Sequence, residues 1–145
     1  MPTEVVVDSS VIAALVTPEE YSDWASKRTS EHDDVHILDL NYYEVANAVK
    51  YKVSGRFSAE DGVKAFAEAV ELMNLHTVHS FSEVVTEALS LSLELNITVY
   101  DAAFLSLADK LDTRFLTLDL KLVKKLEGTK YFGIIECPNK NIASS

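Results

Sequence analysis

Four acidic residues stand where a short apolar run ends or where a helix is about to form: Asp8, Glu44, Asp101 and Asp119. Asp8 follows Val5-Val6-Val7, and Asp119 follows Phe115-Leu116-Thr117-Leu118. Glu44 stands three residues after Asn41, and Asp101 precedes the apolar stretch that starts at Ala102. Each has an ordinary explanation. Asp8 and Asp101 could cap the helices that follow them, Glu44 could close a variant capping box with Asn41, and Asp119 could be a plain turn residue. Those explanations do not account for convergence. Four ionised carboxylates about 5 Å apart would repel by about 3 kcal/mol per neighbouring pair at an effective dielectric near 20, so a cluster of this kind demands cations or protons. Oxygen ligands with no clustered His or Cys suit Mg²⁺ or Mn²⁺.

The elements that must position these acids follow from periodicity. Glu4 to Val7 is a β-branched strand, and Ser9 to Leu15 has helical character. Thr17-Pro18-Glu19-Glu20 carries a capping residue, a proline and glutamates, and predicts a helix opening there and running towards Arg28. His36 to Leu40 is a second strand, and Asn41 is placed to cap a helix from Tyr42 to Val53, with Glu44 in its first turn. Ser58 opens a helix to about Asn74, with Val63, Phe66, Ala67 and Val70 on one face. Leu75 to His79 is a third strand. Ser80-Phe81-Ser82-Glu83 caps a helix whose Val84, Ala88, Leu91 and Leu95 share a face, and Ala102 to Leu111 is apolar nearly all round, so it belongs at the centre. Arg114 to Leu118 is a strand, Leu120 to Leu126 a short helix closed by Gly128, and Gly133 to Glu136 the last strand.

Strands alternating with longer amphipathic helices imply a three-layer α/β/α sandwich with a mostly parallel central sheet. In such sheets ligands bind beyond the carboxyl ends of the strands, where Asp8 and Asp119 stand. Residues 1–145 read as one domain, since no linker, repeat or low-complexity tract interrupts them. The hydrophobic fraction of 48% with only four Gly and three Pro is that of an ordered globular chain, with any disorder confined to its ends. No segment reaches about 18 apolar residues and the start lacks a basic, apolar leader, so no membrane association is expected and the cytoplasm is the expected location. The single Cys137 excludes an internal disulfide and reads as core filler. The formal charge of -10 argues against a basic face that neutralises phosphates. It agrees with acids gathered where divalent ions sit, or with a basic partner.

Val5-Val6-Val7-Asp8-Ser9-Ser10, Leu40-Asn41-Tyr42-Tyr43-Glu44-Val45-Ala46-Asn47, Tyr100-Asp101-Ala102-Ala103-Phe104-Leu105-Ser106-Leu107-Ala108 and Leu116-Thr117-Leu118-Asp119 resemble, in order, the four acidic motifs of the PIN-domain nucleases. Within that family the resemblance is to the VapC-type toxins of prokaryotic toxin–antitoxin pairs, and it spans nearly the whole chain. It implies a PIN-like fold, metal-assisted hydrolysis of RNA, and Asp8, Glu44, Asp101 and Asp119 as catalytic metal ligands, with Asp8 a direct or bridging one. Ser10, Asn47 and Thr117 match positions that orient ligands or substrate. A cognate antitoxin and a homodimer are implied as partners. Lys50, Lys52, Arg56, Lys121, Lys124 and Lys125 are candidate phosphate contacts, though solvated helix faces explain them too, and Tyr42 and Tyr43 are candidates to stack on bases. Trp24 lies on an early amphipathic helix, as core or as part of a partner groove.

His32 and His36 have i, i+4 spacing, but Asp33-Asp34 and the strand that follows deny them the helix a zinc pair would need. Two other enzyme classes fit less well. A phosphoaspartate receiver wants adjacent acids near its first strand's end, and a haloacid-dehalogenase-like phosphatase wants an acid at position 10, where Ser10 stands. The stronger rival is a non-catalytic scaffold that keeps the fold to bind a protein partner.

Overall fold

A computed structural model describes residues 3–139; the expectation of disordered ends falls on 1–2 and 140–145, outside the described residues. The chain starts with β1 (Glu4–Val7) and α1 (Ser9–Val16), followed by α2 (Ser22–Ser30), β2 (Asp34–Leu38) and α3 (Leu40–Lys52). It continues through α4 (Ala59–Asn74), β3 (Thr77–His79), α5 (Val85–Leu95) and α6 (Val99–Leu111). It closes with β4 (Arg114–Leu116), α7 (Leu120–Lys125) and β5 (Ile135–Glu136). Among the described residues the strands form one sheet in the order β3-β2-β1-β4-β5, and every pairing is parallel.

Alternation along the strands gives the sheet two buried faces. Val6, Leu38 and Phe115 face a core built with α5, α6 and α7. Val5, Val7, Ile37 and Leu116 face a second core with α1, α3 and α4. Helix α6 is buried from Ala102 to Ala108, as its apolar composition predicts, and Cys137 is buried in the same core. Trp24 packs partly buried against the other core. The chain leaves β1 to β2 on one side and reaches β4 on the other, so the order reverses between β1 and β4. A crevice opens at such a reversal, outside the carboxyl ends of the strands.

Several boundaries differ from the sequence reading, each for a local reason. Helix α2 opens at Ser22, not at Thr17, because the Thr17 hydroxyl donates to the Ala13 carbonyl at 2.7 Å and closes α1. Strand β2 starts early, at Asp34, since the Asp33 and Asp34 amides both donate to the Thr3 carbonyl. Strand β3 starts late because Leu75 ends α4. Ser80 caps a 3-10 turn, Phe81–Glu83, and α5 follows it. Strand β4 stops at Leu116 because the Leu118 amide donates to the Ser10 hydroxyl at 3.0 Å. Strand β5 is short because Lys130–Ile134 forms a 3-10 turn capped by Thr129. Gly128 does end the α7 region, with φ +82°.

Candidate active site

Asp8 is the first residue past β1 and is 7% exposed. Its side chain caps α1: Oδ1 accepts from the Ser10 amide at 3.1 Å, the Val11 amide at 3.3 Å and the Ser10 hydroxyl. Oδ2 accepts from the Thr117 hydroxyl. Donors on both oxygens fix the carboxylate's direction. Burial still pushes its pKa up to about 7, with the Asp101 charge adding to the shift and the Ser10, Thr117 and Val11 hydrogen bonds opposing it.

Ser10 and Thr117 also join the two central strand ends. The Ser10 hydroxyl accepts from the Leu118 amide, and the Thr117 hydroxyl accepts from the Asp119 amide at 3.0 Å. Asp119 caps α7 through Oδ1, which accepts from the Leu122 amide at 3.1 Å. A cap is what the simple turn reading approaches, yet the same residue's charge reaches the cluster.

Glu44 lies in α3 and accepts from the Ser9 hydroxyl at 2.9 Å, which ties α3 to α1. No capping box with Asn41 exists: Asn41 is the second residue of α3 and is fully buried. Its Oδ1 accepts from the Leu38 amide at 2.9 Å and its Nδ2 donates to the Val7 carbonyl at 3.5 Å, so it stitches the carboxyl end of β2 to that of β1. Asp101 does not cap its helix either. Helix α6 begins at Val99, three residues before the expected start, and Thr98 is the cap, its Oγ1 accepting from the Asp101 amide at 3.0 Å.

Asp101 is the electrostatic hub. Burial is the main cause of the raised pKa of both Asp8 and Glu44, and the Asp101 charge adds a smaller push in the same direction, weaker than the hydrogen bonds that oppose it. Asp101 itself is raised by burial and then by the Asp119 charge, against the Thr98 hydrogen bond and the Lys125 charge. Four acids from four separate segments are therefore coupled at one end of the sheet. Among the described residues, the set of three ligand atoms within 4.8 Å of one another is a different one, Glu4, Asp34 and His36 on β1 and β2.

A cavity of about 420 Å³ opens beside Glu44, lined by Leu40, Tyr43, Glu44, Asn47 and Tyr100. Asn47 is exposed on the rim of this cavity, one turn beyond Glu44. Tyr43 is 75% exposed and Tyr100 is 54% exposed, leaving both rings open to a ligand. Tyr42 turns away, its hydroxyl donating to Asn74 on α4 at 2.6 Å. Lys52 is held by Glu19 and Thr17, away from the acids, whereas Lys125 is close enough to act on Asp101. Sequence reasoning missed Ser9, Thr98 and Tyr100; the Ser9-Ser10 pair behind Asp8 was the available signal for the first.

The donor set fits a hard divalent cation. Every side chain offered is an oxygen ligand, and burial plus like charge hold Asp8, Glu44 and Asp101 towards the protonated state, a cost that a bound cation offsets.

The PIN domain family model matches residues 5–126, a span that includes all four acids. Ribonuclease VapC3 of Pyrobaculum aerophilum is 41% identical over 123 residues, covering 84% of this chain and 94% of the relative. Among solved structures, a toxin–antitoxin complex from Klebsiella pneumoniae superposes with TM-score 0.66 at 13% identity, covering 91% of this chain and 95% of that one. Mycobacterium tuberculosis VapC20, described as a sarcin-ricin loop cleaving toxin, gives 0.60 at 17% identity over 77% and 86%. At those identities the two structures speak for the fold, while the family match and the curated relative place the sequence: this chain belongs to the PIN-domain family, in its VapC-type branch.

Proposed function

We propose that this chain is a metal-dependent endoribonuclease, the toxin of a VapBC-type pair, and that Asp8, Glu44, Asp101 and Asp119 would hold Mg²⁺ or Mn²⁺. The observation that carries this reading is the coupling of Asp101 to the other three acids across the β1–β4 crevice. The ribonuclease name of the 41% identical relative supports the substrate class. When bound, the ion supplies activation of a water nucleophile and neutralisation of charge at the scissile phosphate.

The remaining work falls to the chain's own residues. Ser10 and Thr117 orient Asp8, and Ser9 orients Glu44. Asn47 positions substrate at the rim of the cavity, Tyr43 and Tyr100 stack on unpaired bases, and Lys125 meets a phosphate next to Asp101. Hydrolysis forms a bond from the water oxygen to phosphorus and breaks one P–O ester bond, leaving a phosphate end on one fragment and a hydroxyl end, its oxygen protonated, on the other.

The whole chain, 1–145, is read as one nuclease domain acting in the cytoplasm; among the described residues no single helix is long and apolar enough to cross a membrane. A cognate antitoxin and a homodimer complete the proposal. The Klebsiella neighbour was solved as a toxin–antitoxin complex, and the formal charge of -10 favours a basic segment in the partner. An apolar groove of about 540 Å³ between α3 and α4, with Val49, Val53, Val63 and Phe66 in its walls, supports a protein partner.

Mixed RNAs incubated with the purified chain test the central claim. Cleavage is expected in Mn²⁺, none in EDTA, and none with folded Asp8→Asn. Full cutting by Asp8→Asn would remove the assignment, and absence of any metal-dependent cutting would leave a scaffold.

A further inference from the structure

All four histidines of the chain, His32, His36, His76 and His79, lie in or next to β2 and β3, away from the catalytic crevice. Two of them, with three carboxylates, form an organised group. His36 is 5% exposed, and its Nε2 is 3.2 Å from Glu4 Oε1 and 3.4 Å from Asp34 Oδ2. Its Nδ1 is 2.9 Å from His79 Nε2, and His79 Nδ1 is 3.8 Å from Glu83 Oε2.

Strand register explains the assembly. Glu4 pairs with Asp34 and Val6 with His36 across β1–β2, so Glu4, Asp34 and His36 share one face of the sheet. Thr77 pairs with His36, and its hydroxyl donates to Asp34 Oδ1 at 2.8 Å, fixing that carboxylate. Glu4 and Asp34 open β1 and β2, about four residues and therefore about 13 Å along β1 from Asp8, and His36 lies two residues further along β2, level with Val6.

We propose that Glu4, Asp34 and His36 form a second metal site, for a divalent transition ion of the zinc class, that clips β1 to β2 at the end of the sheet opposite the nuclease centre. The distances carry this. Zinc holds N and O ligands at about 2.0–2.2 Å, and a tetrahedral arrangement then places neighbouring ligand atoms about 3.3–3.6 Å apart. The two Nε2–carboxylate separations, 3.2 and 3.4 Å, lie just below and inside that interval, and all three ligand atoms lie within 4.8 Å of one another. A single Nε2–H can point well at only one of the two carboxylates, whereas an ion among the three atoms serves them all.

The second ring nitrogen completes the argument. A ligating imidazole donates its other N–H to an acceptor that fixes its tautomer. With Nε2 on the metal, His36 carries its proton on Nδ1 and donates to His79 Nε2, and His79 turns its own Nδ1–H towards Glu83. Glu4 and Asp34 are about half exposed, which leaves the remaining coordination positions to water. One imidazole with two carboxylates favours zinc-class ions over Mg²⁺, unlike the all-oxygen set around Asp101.

The test uses the untagged full-length chain carrying Asp8→Asn, stripped with EDTA and dialysed against Zn²⁺. One equivalent is expected to bind, with the His36 ring signals shifting in nitrogen-correlated NMR spectra to the Nδ1–H tautomer. The half-exposed changes Glu4→Gln and Asp34→Asn, added to Asp8→Asn, are expected to keep the fold and weaken Zn²⁺ binding at least about tenfold, and His36→Gln is expected to abolish it. No zinc uptake, uptake indifferent to Glu4→Gln and Asp34→Asn, or uptake without a change at His36 would each overturn the site.

Discussion

Burial and the Asp101 charge keep Asp8 from ionising until about pH 7, even though three hydrogen bonds favour its charged form. Its ordinary value is 3.8, so the native state prefers this acid neutral. Below pH 3.8 native and unfolded chains are both protonated there and the group contributes nothing. Between 3.8 and about 7 the unfolded chain loses its proton first, and stability falls as pH rises. Above 7 the full penalty is present, of order 4 kcal/mol at 1.36 kcal/mol per pH unit. Asp8→Asn is therefore expected to stabilise the metal-free protein most at pH 8 and least at pH 4, read from urea unfolding, while metal-dependent cleavage disappears. An effect of equal size at both pH values would mean that Asp8 is not the buried acid described here. Thr117→Val tests the neighbour that steadies it. Thr117 is fully buried, and the change leaves Asp8 Oδ2 without its donor and the Asp119 amide without its acceptor, a cost of about 1–3 kcal/mol. Calorimetry is expected to show weaker Mn²⁺ binding by Thr117→Val and recovery by Thr117→Ser.

Helix α6 sets where Asp101 points, and the cap at Thr98 sets where α6 begins. Thr98→Ala is expected to cost about 1 kcal/mol of stability and to lower cleavage in Mn²⁺ through a misplaced Asp101, with Thr98→Ser restoring both. Unchanged kcat in Thr98→Ala, alongside the stability loss, would separate the cap from the chemistry. This helix also shows what the amino-acid pattern can and cannot reveal. Its buried body was legible from a nearly all-apolar stretch, and the strands from the short apolar runs ahead of Asp8 and Asp119. The start of α6 was not, because Asn96-Ile97-Thr98 reads equally well as a strand tail or as a helix cap. Asn41 presents the same ambiguity: an asparagine ahead of a helix suits an N-cap, and only the approach of β1 to β2 turns it into a buried bridge between Leu38 and Val7. The four acids were visible as endings and beginnings of elements, while Ser9, which holds Glu44, and Tyr100, which lines the cavity beside it, depend on which helices meet there.

At the scale of the whole molecule a net charge of -10 has to approach an RNA that is itself negative. A cation bound at the acid cluster, as proposed, would ease that approach and would also stabilise the fold. Saturating Mn²⁺ at about 100 times its Kd adds about 2.7 kcal/mol, and the gain shrinks as pH falls through the raised values of Asp8, Glu44 and Asp101, because protons then compete for the same oxygens. Thermal melts with and without Mn²⁺ at pH 8 and pH 5 read this directly, and a metal-induced rise that is larger at pH 5 would contradict it. Beyond the cluster, Lys121, Lys124 and Lys125 are exposed on α7, the helix that Asp119 caps, and Lys125 acts on Asp101, whereas Lys52 is held by Glu19. Three phosphate contacts on a single strand give a slope of about -2 in log K against log salt, so a fourfold rise from about 50 to about 200 mM monovalent salt weakens binding about twentyfold. A basic-faced binder with 6–10 contacts loses about 10³–10⁵ over a similar range. Fluorescence anisotropy of labelled single-stranded RNA with inactive Asp8→Asn measures the slope. A loss of a thousandfold would reveal a wide cationic footprint incompatible with this surface, whereas a shallow slope would leave recognition to the proposed stacking on Tyr43 and Tyr100 and to the proposed metal site.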